Sequence, residues 1–172
     1  PKELVIGISQ FPSNFNPLIN SLLAKSYMLA LARRPITVFD QDWNLICVMC
    51  KALPDLATGT AVYEPTTDGK PGIAVTYELL AEAKWGDGTP ITTEDVLFTW
   101  QVGRHKHSGV SDSETFRRIT SIDVHSDKKF TLHVNKRTCD YAGINGLELL
   151  PAHIDRKNFK EPREYRNRSA YE

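Results

Sequence analysis

The chain has 172 residues, and its 21 Lys and Arg are matched by 21 Asp and Glu, for a formal net charge of zero. That length suffices for one domain burying roughly 70% of its unfolded surface. The even balance argues against a nucleic-acid or anionic-membrane partner, because neither basic footprint is present, and no stretch approaches the ~20 apolar residues of a membrane span.

In chain order, Leu4, Ile6 and Ile8 fall on one side of the run 2–9, which predicts a first strand. A strand there, after Pro1-Lys2-Glu3, is not the charged region plus long apolar core of a signal peptide. Phe11 to Pro17 is a turn-rich loop. Residues 18–34 are rich in helix formers without Gly or Pro and predict a helix ending before Pro35. A short strand over 36–39, a hairpin-like turn over 40–44 and an apolar run over 45–53 follow. Residues 60–64 and 72–80 read as strands joined by a Pro- and Gly-containing turn. A helix is expected over 93–105 and a shorter one over 111–118. Residues 120–125 and 129–134 alternate as an antiparallel hairpin turning at Asp127-Lys128, with one wet face. A further helix is expected over 140–150, and residues 155–172 are polar and arginine-rich with no core of their own. The sum is an α+β fold, a mainly antiparallel sheet flanked by helices.

The most informative stretch runs from Ala83 to Trp100. Gly86-Asp87-Gly88 supplies residues that tolerate positive φ, Thr89 follows, and Pro90 fixes the exit. Thr92 is a good N-cap with Asp95 three residues on, a short capping box. Glu94 and Asp95 sit where the helix dipole favours negative charge, and Val96, Leu97 and Trp100 give the helix a face to bury.

Several residues invite a chemical reading and have a structural one. Asp87, Glu94 and Asp95 lack the ligand spacing and terminal Glu of a calcium loop, and turn and cap chemistry accounts for all three. His105 and His107 would not share a helix face and read as cations at a helix C-terminus. His125 and His133 lie on the hairpin strands and read as an exposed polar pair. Trp85 and Trp100 are expected to pack against the core, and Trp43 to be half exposed in its turn. Cys47-Val48-Met49-Cys50 lacks the second pair or nearby His of a metal site. It is read as two small, partly buried side chains, with a disulfide closing a small, strained loop as the alternative in an oxidising compartment. No nucleophile elbow or phosphate-binding Gly loop is present.

The run Lys84-Trp85-Gly86-Asp87-Gly88-Thr89-Pro90-Ile91-Thr92-Thr93-Glu94-Asp95-Val96 resembles the signature of the extracellular solute-binding proteins of peptide, dipeptide and nickel ABC importers, solute-binding protein family 5. Gly86 and Thr93 replace the family's more common Ser and Ala. The opening strand, the Phe15-Asn16-Pro17 loop, Phe39-Asp40, Lys51-Ala52-Leu53-Pro54 and Leu149-Leu150-Pro151-Ala152-His153 match in kind and order. The resemblance implies part of a two-lobed, periplasmic-binding-protein type II-like fold. Residues 1–35 would begin lobe I, 36–151 would form its small α+β subdomain, and 152–172 would return toward lobe I, with the second lobe absent from this chain. It implies capture of an oligopeptide or dipeptide, without catalysis or cofactor, for an ABC permease in the inner membrane. The whole protein would be a periplasmic or extracellular monomer, with a lipid anchor as an option. Nickel, an opine or a sugar are the alternative solutes, and a small hydrolase is the alternative of another class. By the same resemblance the solute contacts are Asn20, Ser21, Leu22 and Leu23, with Tyr141 and Asn145 as a second region.

Overall fold

The structure is a computed structural model, and it describes residues 5–144, 147–168 and 170. Alternating apolar side chains set its main sheet. Helix α1 (Leu23–Ala32) precedes a small hairpin, β1 (Thr37–Phe39) and β2 (Leu45–Cys47). Then come β3 (Ala61–Pro65), β4 (Pro71–Glu78), α2 (Thr93–Arg104), α3 (Ser113–Arg118), β5 (Ile119–Val124) and β6 (Lys129–Val134). The last segment holds α4 (Ala152–Asp155), a 3-10 turn (Asn158–Lys160) and α5 (Tyr165–Arg168). The four longer strands form an antiparallel sheet in the order β3-β4-β6-β5, so the α+β class and its antiparallel sheet are those expected.

One face of that sheet is the core. Ile73, Val75 and Tyr77 of β4 and Phe130 and Leu132 of β6 are buried with Val96, Phe98 and Val102 of α2 and Phe116 of α3. Trp85 and Trp100 pack against this core from its margin. Helices α2 and α3 approach closely at Gly103, where a Cβ would lie 2.1 Å from the Phe116 ring. The opposite face is polar. Thr76 and Thr131 share a 2.8 Å hydroxyl bond, and Thr131 also meets His125 Nε2 at 2.8 Å. His133 stands 2.7 Å from Glu64 Oε1 on β3 and 3.1 Å from Asp123 Oδ2 on β5, so one imidazole links three strands.

Several expected elements differ. Residues 5–8 are not a strand, and Leu4 lies outside the described residues; Val5 and Ile6 are exposed, with no neighbouring strand to pair with. The helix expected over 18–34 starts only at Leu23, because Asn20 takes a left-handed φ of 54° and Ile19 pairs in a bridge with Val110. The described part of 140–150 is turn and extended chain, held by Ile144 N to Thr37 Oγ1 at 3.1 Å and Tyr77 OH to Ala142 O at 2.9 Å. His105 caps the end of α2, and His107 lies beyond it in a turn, so their rings stand 5.9 Å apart where a continued helix would separate them. Trp43 is 82% exposed, beyond the half expected, at the tip of the β1–β2 hairpin with φ 63°. Cys47 and Cys50 are joined as a disulfide, with Cα atoms 5.1 Å apart, and Cys139 is a free, exposed thiol. The bridge closes the bend where Lys51 N and Leu80 N bind Glu78 O and Met49 O, docking the small hairpin on the end of β4.

Two outcomes follow from this packing. Gly103→Ala forces the buried Phe116 ring to move and is expected to lower unfolding free energy by about 1–3 kcal/mol in urea denaturation. For His133, burial draws the pKa down, but the bonds and charges of Glu64 and Asp123 outweigh it and leave it raised. A raised native pKa gives stability that is complete below the unfolded value of about 6.5 and lost as pH climbs through the native value. The stability gap between the native chain and His133→Gln is therefore expected to narrow as pH rises above about 6.5.

Candidate ligand-binding wall

The turn-helix run does its structural work through Asp95. Its first role is local: Thr92 Oγ1 accepts from Glu94 N at 3.3 Å, and Thr92 N donates to Asp95 Oδ2 at 2.9 Å, completing the capping box. The turn before it closes by Trp85 N to Thr89 O at 2.8 Å and Thr89 N to Asp87 Oδ1 at 2.9 Å, with Gly88 at φ 89°. Asp95 is only 3% exposed, and the same carboxylate reaches further. It accepts from Trp85 Nε1 at 3.3 Å and from Ala152 N, at the start of α4, at 2.8 Å. One turn on, Thr99 Oγ1 accepts from Leu150 N at 2.8 Å. The other two acids hold the same segment from outside, Asp87 to His153 Nε2 at 2.7 Å and Glu94 to Arg156 Nη2 at 3.1 Å. The His153 bond, seconded by Thr89 N, draws the Asp87 pKa down to about 2. All three acids thus serve structure, as their turn and cap positions suggested.

The returning segment in turn fixes the loop before α1. Asp155, wholly buried, accepts from Tyr165 OH, Asn158 Nδ2 and Ala170 N. Tyr165 OH accepts from Asn16 Nδ2 at 3.1 Å, joining residues 149 positions apart. Asn16 Oδ1 then accepts from Leu18 N at 3.0 Å. Lys25, 2% exposed, reaches back from α1 to the carbonyls of Asn16 and Ile19. Burial draws its amine pKa down, partly opposed by the Glu148 charge.

Asn20, Ser21, Leu22 and Leu23 lie directly after this pinned loop. Asn20 Oδ1 accepts from Arg166 Nη2 at 2.7 Å, and its Nδ2 donates to Ser13 Oγ at 3.2 Å. Ser21 and Leu23 are exposed. Leu22 is the N-cap of α1 and offers no side-chain cap. Among the described residues, no backbone hydrogen bond engages the N–H of Ser21 or Leu22, while Asn20 N belongs to the antiparallel bridge of Ile19 with Val110, in which Ser111 N binds Leu18 O. The result is a short ledge of free donors at the positive end of a helix, which suits carbonyl or carboxylate oxygens. Tyr141 is elsewhere, in a cavity of about 300 Å³ over the sheet, and Asn145 lies outside the described residues. That cavity is not lined by residues 20–23, so the structure does not bring the two regions into one pocket. Sequence reasoning missed Lys25, Asp155, Tyr165 and Arg166, which support the ledge. A lysine inside an apolar helix was the one available signal. Among the described residues, no group of three or more His, Cys, Asp or Glu is placed to hold a metal ion, and no helix is long and apolar enough to cross a membrane.

No protein-family model matches the chain. It is 25% identical over 150 residues to a Brucella ovis protein named as an ABC transporter peptide-binding protein, covering 86% of this chain and 25% of that one. It is 27% identical over 164 residues to a Mycobacterium tuberculosis protein named as a monoacyl phosphatidylinositol tetramannoside-binding protein, covering 90% and 24%. The solved oligopeptide-binding protein of Thermus thermophilus, in complex with a pentapeptide, superposes with TM-score 0.74 at 30% identity over 88% of this chain and 26% of that one. An oligopeptide-binding protein of Bacillus subtilis shares the fold with TM-score 0.70 at 18% identity, over 91% and 28%. The chain therefore spans about a quarter of the length of these relatives. They are binding proteins by name, and their fold is of the type II-like periplasmic binding class.

Tyr165 is the test of the support. Tyr165→Phe leaves Asn16 and Asp155 each short of a buried partner, at a cost of about 1–3 kcal/mol. Amide exchange at Leu18 and Ile19 is expected to quicken more than exchange in β4 and β6, as read by hydrogen–deuterium exchange.

Proposed function

We propose that this chain, similar in sequence and fold to about a quarter of the solute-binding proteins of peptide ABC importers, forms one wall of a solute cleft, with an oligopeptide as solute. The observation that carries the reading is the ledge at Ser21 and Leu22. Among the described residues its backbone donors have no hydrogen-bond partner, while Asn16, Lys25, Asp155 and Tyr165 behind it are buried and hydrogen-bonded. Extended peptides are held by main-chain hydrogen bonds, which give affinity without reading side chains. Donors of this kind bind and orient; they do not transform.

In this reading residues 1–35 begin the ligand-binding lobe, 36–151 form a small subdomain beside it, and 152–172 return to the lobe. The bond between Asn16 and Tyr165 supports that return. The captured solute passes to an ABC permease after a hinge closure of two lobes, the closed state being the one recognised. The site of action is the periplasm or the cell exterior, and the Cys47–Cys50 bridge suits such an oxidising compartment.

A pentapeptide titrated into the chain is expected to move the amide resonances of Asn20, Ser21, Leu22 and Leu23, with affinity no tighter than millimolar because a single wall pays the ordering cost with few contacts. Micromolar affinity would show that one wall is not the unit of binding. Unchanged resonances at those four residues, with the peptide at its solubility limit, would remove the ledge from the site.

A further inference from the structure

Trp43 stands against both packing and backbone preference. Trp85 and Trp100 pack against the core, whereas Trp43 is 82% exposed at the tip of the β1–β2 hairpin. It is also held at φ 63°, a left-handed conformation that is an outlier for a bulky side chain. Glycine or asparagine would serve the turn better. Local structure therefore gives no reason for tryptophan here, and a strained, exposed aromatic residue points to a task at the surface.

The turn that presents it is firmly built. Asp40 Oδ1 accepts from Asp42 N at 2.9 Å and from Asn44 N at 2.8 Å, Asp40 N donates to Asn44 O at 3.0 Å, and Trp43 N donates to Asp40 O at 3.1 Å. Below the turn Phe39 pairs with Leu45, Val38 with Ile46 and Thr37 with Cys47, and the Cys47–Cys50 bridge closes the base. The Phe39 ring, 48% exposed, lies 6.2 Å from the indole, so the two rings form one outward aromatic patch on a fixed support.

The charge around that patch says what it can meet. Residues 40–44 carry two acids and no cation. Asn44 N–H draws the Asp40 pKa down, which keeps that carboxylate ionised. Asp42 is exposed, and its carboxylate has no ion pair or hydrogen bond among the described residues. The flanking cations Arg33 and Lys51 are taken by Glu148 and Glu78. Phe39 also borders the cavity of about 300 Å³, whose rim carries Arg118, paired with Glu114, together with Lys136 and Asp140, and so adds no net charge. Two carboxylates repel an anionic surface. A cation over the indole is attracted by the ring and by the free acid beside it, and a guanidinium is planar and stacks.

We propose that the β1–β2 tip is a docking point for an arginine-bearing segment of a partner protein, the guanidinium lying over the Trp43 indole and paired with Asp42. Tryptophan is the side chain that most often anchors such contacts. The docking point uses no residue of the ledge at Ser21 and Leu22 and stands whether or not that ledge holds a solute.

The test titrates the chain with acetyl-Gly-Arg-Arg-Gly-amide and with its citrulline counterpart, which keeps the shape and lacks the charge. The Trp43 indole Nε1–H and the Asp42 amide are followed by NMR. The arginine peptide is expected to move both at millimolar concentration, less so at higher salt, and the citrulline peptide to move neither. Asp42→Asn should weaken the arginine peptide about two- to fivefold. Trp43→Asn suits the left-handed turn and should leave the Tm unchanged or higher, yet abolish the response of the Asp42 amide, while Trp43→Tyr should retain most of it. Equal responses to the two peptides, binding that survives Trp43→Asn, no movement of Trp43 at the solubility limit of the arginine peptide, or movement confined to Ser21 and Leu22 overturns the docking point. Phosphatidylglycerol vesicles that blue-shift tryptophan emission in the native chain and not in Trp43→Asn would make a bilayer the occupant, and overturn it as well.

Discussion

The carboxylate of Asp95 is the constraint on which the rest of the structure depends. It is 3% exposed and accepts from Thr92 N, Trp85 Nε1 and Ala152 N, groups belonging to a helix start, a turn and a distant returning segment. A buried carboxylate is tolerable only when hydrogen bonds replace its hydration. The three donors meet that need, and by meeting it they fix the mutual placement of their elements. The tip of the β5–β6 hairpin joins the same junction, since Thr93 N and Thr93 Oγ1 donate to Asp127 O and Ser126 O, and Lys128 Nζ donates to Ile91 O. The start of α2 is thus where sheet, turn and returning chain meet.

Placement of the returning segment then decides the geometry of the ledge. Ala152 is set by Asp95, three residues later Asp155 is wholly buried, and Asp155 orients the Tyr165 hydroxyl toward Asn16. Lys25 closes the loop from its other side by holding the carbonyls of Asn16 and Ile19. A chain of buried polar contacts therefore runs from the turn-helix run to residues 16–20. Every link in it removes a side chain's freedom before any solute arrives. Preorganisation of this kind spares a ligand the ordering that otherwise subtracts from affinity.

Much of the fold was legible because it rests on local rules. The capping box of Thr92 and Asp95, the turn at Gly88, the hairpin around Asp127 and the alternation of Phe130, Leu132 and Val134 each depend on residues a few positions apart. What was not legible depends on distant partners. Residues 5–8 have the alternation of a strand and lack a neighbour to pair with. Residues 18–22 have helical composition, yet the bridge between Ile19 and Val110 and the turn at Asn20 draw the chain away from a helix. The helix expected over 140–150 gives way to chain tied to Tyr77 and Thr37 from the sheet and the small hairpin. The ledge itself was indicated by resemblance, and its physical basis, free N–H groups above a satisfied network, needed coordinates because Asn16 and Tyr165 lie 149 residues apart.

The polar groups of this chain are sorted into two kinds, and the sorting bears on function. Asp95, Asp155, Asn16 and Lys25 are buried and hydrogen-bonded, which is the behaviour of structural groups. Among the described residues the N–H groups of Ser21 and Leu22, just before α1, have no hydrogen-bond partner. Along α1 itself Leu23, Tyr27 and Leu31 recur every four residues and remain exposed, so this helix presents an apolar stripe outward as well. Donors without a partner and exposed apolar side chains thus meet at α1. Under the proposed reading, spaced donors and apolar surface along α1 would distribute contact over the length of an extended ligand.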